Sequence, residues 1–290
     1  MIWRADALDV FFLSYDEPAA DRHFVQLQRV SPRPPQRVHG VAGLHNAYDH
    51  AARASRTERF LTVDADSFVM DDTVFRATLD DEGVDDLVFA FPARNAVNAL
   101  RYGNGSVKCW SKRAFIGLRT HERTPPGAGQ IDFHQALPYR WLSATGSINR
   151  FACDPFHAFR AGYREAIKLS TGRGTGPPAP GRALTLSDRA RRRITAWVTI
   201  GLDVEHGDWA IYGARRGLID FWLGEMLTLD RLNDFAYFAE AWRTAAGHDC
   251  GALIAGTASG MALLGLPETC LDAAASRAAK DAMLLAETVG

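Results

Sequence analysis

FLTVDADSFVMDD, residues 60 to 72, decides the architecture. The apolar run Arg59 to Val63 (RFLTV) reads as a buried strand, and it leads directly into Asp64-Ala65-Asp66. Two carboxylates one residue apart at the carboxyl end of a strand suit oxygen ligation of a hard divalent cation, with positions left open for phosphate oxygens. The bland alternative is an acidic turn with solvated carboxylates. Upstream, Asp9 to Ser14 (DVFFLS) predicts a buried strand and Asp21 to Val30 a helix, which the Pro-rich SPRPP at 31 to 35 stops. Arg37 to Val41 predicts a second strand, and Leu44 to Ala54 an Ala-rich helix. Downstream, Leu87 to Phe91 (LVFAF) is a further strand. Strand and helix alternating at this spacing imply an α/β fold with a mostly parallel sheet, whose ligands lie at the carboxyl ends of the strands.

The rest of the chain bounds the classes available. With 47% hydrophobic and 23% charged residues over 290 positions, disordered, collagenous and disulfide-scaffold classes are excluded. Cys109, Cys153, Cys250 and Cys270 are too far apart for a zinc-knuckle or redox spacing, so a reduced, cytoplasmic chain is expected. The opening MIWRADALDVFFLSYDE has only Val10 to Leu13 as an apolar run, and no signal peptide is expected. The uncharged stretch Cys250 to Pro267, broken by glycines, reads as buried helix rather than a membrane span.

Net charge is −1, but it is segregated. Residues 150 to 193 hold ten Arg and Lys against three acids, a balance of +7, while residues 194 to 290 carry −7. A basic middle segment is a candidate polyanion contact, or else a solvated helix face and loop. STGRGTGPPAPGR at 170 to 182 cannot continue a helix or strand and is expected to be a mobile loop or linker. Beyond it, Thr185-Leu-Ser187-Asp188 offers a helix cap before RARRRITAW, and Asp230 to Ala246 and Glu268 to Glu287 are expected to be helical.

Two metal-using families place D-x-D after a strand. Haloacid-dehalogenase-type phosphatases place it after the first strand, with Thr or Val two residues beyond the second Asp; here that residue is Phe68 and the strand is not the first. GLHNAYDHAARASRTERFLTVDADSFV, residues 43 to 69, instead resembles nucleotide-sugar glycosyltransferases of the GT-A fold. LSYDEP (13 to 18), VHGVAGLHNA (38 to 47), VDADS (63 to 67) and RNAVNALRYGNGSVK (94 to 108) resemble a group of phage-encoded GT-A proteins. So do INRFACDPFHAFRAGYREAIKLS (148 to 170) and WVTIGLDVEHGDWAIYGARRG (197 to 217). Addition of sugars to hydroxymethylated pyrimidines in phage DNA is attributed to some members. The likeness spans residues 9 to 217, implying a GT-A core over 1 to 217 and a helical region over 218 to 290.

The resemblance implies roles. Ser14, Tyr15 and Asp16 would meet the nucleobase and ribose of the donor, although Ser14 and Asp16 are also good helix caps. Asp64 and Asp66 would hold a divalent metal (Mn or Mg), and Asp64, Ala65, Asp66 and Lys108 would bind the nucleotide-sugar donor, a UDP-sugar being favoured. Asp203 and His206, in LDVEHG, are candidates to complete the metal site. Asp154 is the candidate general base of an inverting reaction, or an N-cap for the helix from Pro155. Asn95 and Asn98 would contact the acceptor or satisfy a loop. Arg191, Arg192 and Arg193 would contact double-stranded DNA, or pair with the acidic tail. The expected function is a metal-dependent glycosyltransferase acting on 5-hydroxymethylpyrimidine in DNA. The alternatives are the same chemistry on a polysaccharide, glycolipid or protein, and a noncatalytic nucleotide- or metal-binding module.

Overall fold

The computed structural model describes residues 1–103, 107–116, 137–171, 184–224, 231–232 and 234–289. The expected loop 170–182 lies outside these, except Ser170 and Thr171, which finish a helix. The chain packs as two compact units. Of the described residues, one unit takes those within 1–96 and 101–151, and the other takes 97–100 and those from 152 onward. The packing boundary thus falls near residue 151, not at 217.

In chain order the first unit contains β1 (Ile2–Arg4), β2 (Asp9–Ser14), α1 (Ala20–Val30), β3 (Gln36–His39), α2 (Leu44–Ala54), β4 (Arg59–Asp64) and β5 (Ser67–Phe68). It continues with β6 (Thr78–Asp80), β7 (Val88–Ala90), β8 (Ala93–Asn95), β9 (Arg101–Tyr102), β10 (Lys108–Ser111), α3 (Lys112–Ile116), β11 (Tyr139–Trp141) and β12 (Ser147–Asn149). Among the described residues the main sheet has the order β11-β7-β10-β4-β2-β3. It is mixed rather than simply parallel. β2 runs parallel to β3 and β4, and β11 parallel to β7, but β10 is antiparallel to both its neighbours. Between β7 and β10 the described chain holds only the short strands β8 and β9, with no crossover helix to return it in the same direction.

β2 is buried along its whole length because both sheet faces are covered. Its side chains alternate: Val10 and Phe12 join Leu61, Val63 and Phe89 in a core with Leu27 of α1. Phe11 and Leu13 join Phe60, Val88 and Trp110 in a core with Tyr48 and Ala51 of α2. β3 lies on one side of β2 and β4 on the other. The winding therefore reverses at β2/β4, and such switch points open a crevice at the carboxyl ends of the two strands. Ser14 ends one and Asp64 the other.

The second unit is helical: α4 (Pro155–Thr171), α5 (Asp188–Thr199), α6 (Gly207–Trp222), α7 (Phe235–Ala245), α8 (Cys250–Gly256), α9 (Ala258–Leu263) and α10 (Ala273–Val289). α4 and α6 pack backbone to backbone. A Cβ at Gly162 would collide with the Ala210 carbonyl, and one at Gly213 with the Phe159 carbonyl, so only glycine fits. Phe159, Tyr163 and Ile211 share one core with Phe221, Leu232, Phe238 and Ile254, on both sides of residue 217. Among the described residues no helix is long and apolar enough to cross a membrane.

Candidate functional site

The crevice edge of the first unit gathers an acidic centre. Asp64 pairs in register with Leu13, which places it beside the end of β2. Its two oxygens are held differently: Oδ1 accepts from the Tyr48 hydroxyl at 2.9 Å, and Oδ2 lies 3.8 Å from Lys108 Nζ. Burial and the adjacent Asp64 charge push the Tyr48 phenol well above its ordinary value, so it remains a donor. Lys108 reaches the site because β10 begins there, opposite Thr62.

Asp66 sits in a harsher environment. Its Oδ1 is buried with no hydrogen-bond partner, while the Asn149 side chain hydrogen-bonds the carboxylate. Burial first, then the charges of Asp64 and Glu17, push its carboxyl up to about 7; Lys108 and Asn149 oppose this only in part. Two neighbouring carboxylates thus bear on Asp66, and the Lys108 ammonium opposes them. Such a centre calls for a proton or a cation. A divalent ion fits: it would satisfy the orphaned oxygen and offset the excess charge, and Mg²⁺-type sites often use one or two carboxylates together with substrate phosphates. Among the described residues no three His, Cys, Asp or Glu side chains converge as a preformed cation cage.

The turn between the two acids is held from behind. His23, fully buried on α1, donates Nδ1–H to the Ala65 carbonyl at 2.7 Å, and burial lowers its pKa. The Arg150 N–H donates to the Asp66 carbonyl at 2.7 Å. At the end of β2, Ser14 Oγ accepts from Arg37 Nε at 3.0 Å and lies 3.0 Å from His39 Nδ1. Tyr15 is 52% exposed, leaving its ring available for stacking, and its N–H donates to Glu17 Oε2 at 2.7 Å. Asp16 is exposed beside it.

Sequence reasoning missed Glu17, His23, Tyr48 and Asn149. For His23 and Tyr48 a signal existed: each is a polar side chain on the core-facing stripe of an amphipathic helix. Tyr48→Phe removes the bond that orients Asp64. It is expected to weaken Mn²⁺ binding about 10–100-fold with the fold intact, read as the metal dependence of the melting temperature. An unchanged metal titration would leave Tyr48 a packing residue.

Other expected site residues are engaged elsewhere. Asn95 and Asn98 are 1% and 0% exposed, so they are interior residues that present no surface to an acceptor. In the second unit, Asp154 caps α4: Oδ1 accepts from the His157 N–H and Oδ2 lies 2.8 Å from His157 Nδ1. The capping geometry weighed beside the general-base role is therefore present. The Asp203 side chain is 5% exposed; its Oδ2 pairs with Lys280 of α10 at 2.5 Å, and its Oδ1 is buried with no hydrogen-bond partner. His206 takes a left-handed conformation (φ 57°) at the start of α6, with Nε2 3.6 Å from Glu205. Arg191 donates to the Gly265 carbonyl at 3.0 Å, which ties it to the fold, whereas Arg192 is exposed.

No protein-family model matches the chain, and no curated protein matches it. Two solved structures show slight likeness. One is HddC from Yersinia pseudotuberculosis, with 13% identity over 49% of this chain and 72% of that one, at a TM-score of 0.27. The other is the mannosyltransferase PcManGT from Pyrobaculum calidifontis in complex with GDP-Man and Mn2+, with 10% identity over 97% and 87% of the two chains, at a TM-score of 0.35. At these scores neither likeness bears on the role of any residue. What stands is a mixed α/β fold with flanking helices.

Proposed function

We propose that the chain is a metal-dependent glycosyltransferase that moves a sugar from a nucleotide-diphosphate donor, a UDP-sugar favoured, to a hydroxyl acceptor. The observation that carries this reading is Asp66: a carboxylate with a buried, partnerless oxygen beside Asp64, at the switch point of an α/β sheet. Asp64 and Asp66 would hold Mn²⁺ or Mg²⁺. When bound, that ion neutralises the charge of the departing diphosphate. Lys108 adds a donor toward the same oxygens. The exposed Tyr15 ring offers the base a stacking face, and Ser14, fixed between Arg37 and His39, shapes the floor beside it. No general base is assigned, since both Asp154 oxygens are already engaged by His157.

The acceptor we favour is the hydroxymethyl group of a pyrimidine in DNA. It is supported by the sequence resemblance and by the +7 balance of residues 150 to 193. The deciding experiment incubates the protein with a panel of nucleotide sugars, with Mn²⁺ or with chelator. Release of free nucleotide is measured, along with the mass of nucleosides from hydroxymethylated duplex DNA. Metal-dependent release of nucleotide is expected, with a hexose-sized increment on the modified nucleoside. Release without DNA labelling would move the acceptor to a polysaccharide, glycolipid or protein; neither signal would make the chain a binding module.

Within the basic segment, changing Arg191, Arg192 and Arg193 together to Ala is expected to raise the apparent KM for DNA at unchanged donor hydrolysis. A lowered melting temperature with normal KM would assign all three to the fold, as the Arg191 bond to Gly265 already does for one.

A further inference from the structure

The first unit carries a second cationic feature, built on α1 and sharing only Arg150 with the basic segment. The outer face of α1 and the chain around Phe68 bound an open depression lined by Arg22, Arg29 and Arg150. The Arg150 guanidinium lies 4.0 Å from the centroid of the Phe68 ring, a cation–π contact that fixes its plane. The backbone of the same residue is bonded to Asp66. Arg22 and Arg29 are exposed and seven residues apart. They therefore share one face of the helix at about 10 Å axial separation. No ion pair to either occurs among the described residues. By contrast Arg4, Arg53, Arg76 and Arg140 of the same unit each sit beside a carboxylate. The acid that lines the depression, Asp21, is paired with Arg37 at 2.6 Å.

Three arginines lining one concave surface, with the local acid already paired, supply the charge of an anion site. Guanidinium matches phosphate oxygens in a two-pronged geometry that an ammonium does not. The separation of Arg22 and Arg29 spans roughly three phosphates of one strand, at about 3.4 Å of axis each. A single small anion would use one end of such a surface; a phosphodiester chain uses all of it. We propose that this depression binds the phosphate backbone of a polynucleotide and anchors the acceptor near the acid turn. That the polynucleotide is the acceptor rests on the glycosyltransferase reading; its binding here does not.

The test uses the full chain and a fluorescein-labelled hydroxymethylated DNA duplex, followed by anisotropy across a salt series, with donor hydrolysis measured in parallel. Arg22→Ala/Arg29→Ala is expected to raise the Kd about tenfold at moderate salt. It should also make the slope of log K against log salt less negative by about 2, since each phosphate that an arginine neutralises contributes about 0.9. Donor hydrolysis and melting temperature should not change. Arg22→Lys/Arg29→Lys should restore most of the slope, because charge rather than shape sets it. An unchanged Kd and slope in the Ala variant overturns the proposal. So does an unchanged DNA affinity with weakened donor hydrolysis, or with relief of competition by inorganic phosphate, since either gives the depression to a small phosphate ligand. If the wild-type chain binds the duplex in this Arg-dependent way but hydrolyses no donor, the enzymatic reading fails and the polynucleotide site stands.

Discussion

Asp66→Asn is expected to cut sugar transfer about 10²–10⁴-fold, the several kcal/mol a metal contributes to a charged transition state, and at the same time to raise the melting temperature of the metal-free protein. Both effects follow from one environment. The Asp66 carboxyl is pushed up to about 7 by burial and by Asp64 and Glu17. A group whose folded pKa lies above its unfolded value of about 4 loses stability as pH rises from about 4 to 7, because the unfolded chain releases the proton first. Above pH 7 the ionised Asp66 is therefore a full burden on the fold, on the order of 2–4 kcal/mol. Asparagine keeps the shape without the charge. At pH 8 and without metal the variant should melt higher than the wild type; the gap should narrow as pH falls and close only near about pH 4.

Added Mn²⁺ should reverse the order at pH 8. It stabilises the form that binds it in proportion to the logarithm of concentration over Kd, and the variant has lost a charged ligand. Below pH 7 the ion must displace a proton, so its affinity in the wild type should rise about tenfold per pH unit and level off above. Asp64→Asn should also lose transfer, with a smaller gain in metal-free stability, because Asp64 has Tyr48 and Lys108 for partners. Equal metal response in wild type and Asp66→Asn would remove the cation from this site.

The sequence exposed the half of this site that is local. β2, β4 and α2 carry enough periodic apolar residues to be read directly, and D-x-D at the end of β4 is visible by spacing alone. What it concealed is long-range. Glu17 acts on Asp66 from 49 positions upstream and Asn149 from 83 positions downstream; both lie in stretches that carry the resemblance, but no spacing or period ties either one to Asp66. The ion pair of Asp203 was hidden because its partner, Lys280, lies 77 residues away. Strands β8, β9 and β12 are two or three residues long, too short for any period to show, yet β12 brings Asn149 to the acids. The reversed β10 was equally hidden, since direction is set by the connection and not by strand composition.

Arg215→Ala is expected to lower stability by about 3–5 kcal/mol, which in a unit of this size shifts its melting temperature by roughly 6–20 °C. Arg215 is fully buried, and the acceptors it bonds are uncharged. Nε donates to the Val198 carbonyl at 2.9 Å; Nη1 donates to the Glu268 carbonyl at 2.8 Å and to Thr257 Oγ1 at 3.4 Å; Nη2 reaches the Pro267 carbonyl at 3.5 Å. Burial lowers its pKa, though a guanidinium stays charged. One side chain thus ties the end of α5 to the segment between α9 and α10. Truncation to Ala opens a cavity and strands the carbonyls. Met, which fills the space but donates nothing, should cost less than Ala yet more than a surface change. Lys keeps the charge but cannot serve acceptors in several directions, so it should resemble Met rather than wild type. The same geometry bears on chain division: a protein ending at residue 217 would keep Arg215 but lose Thr257, Pro267 and Glu268. It would also lose the Phe221, Leu232, Phe238 and Ile254 side of the core. Such a fragment should fail to form a cooperative helical unit, read as loss of the corresponding transition in calorimetry. A fragment that melted cooperatively, or an Arg215→Ala chain melting within a degree or two of wild type, would show the C-terminal helices to be an appendage after all.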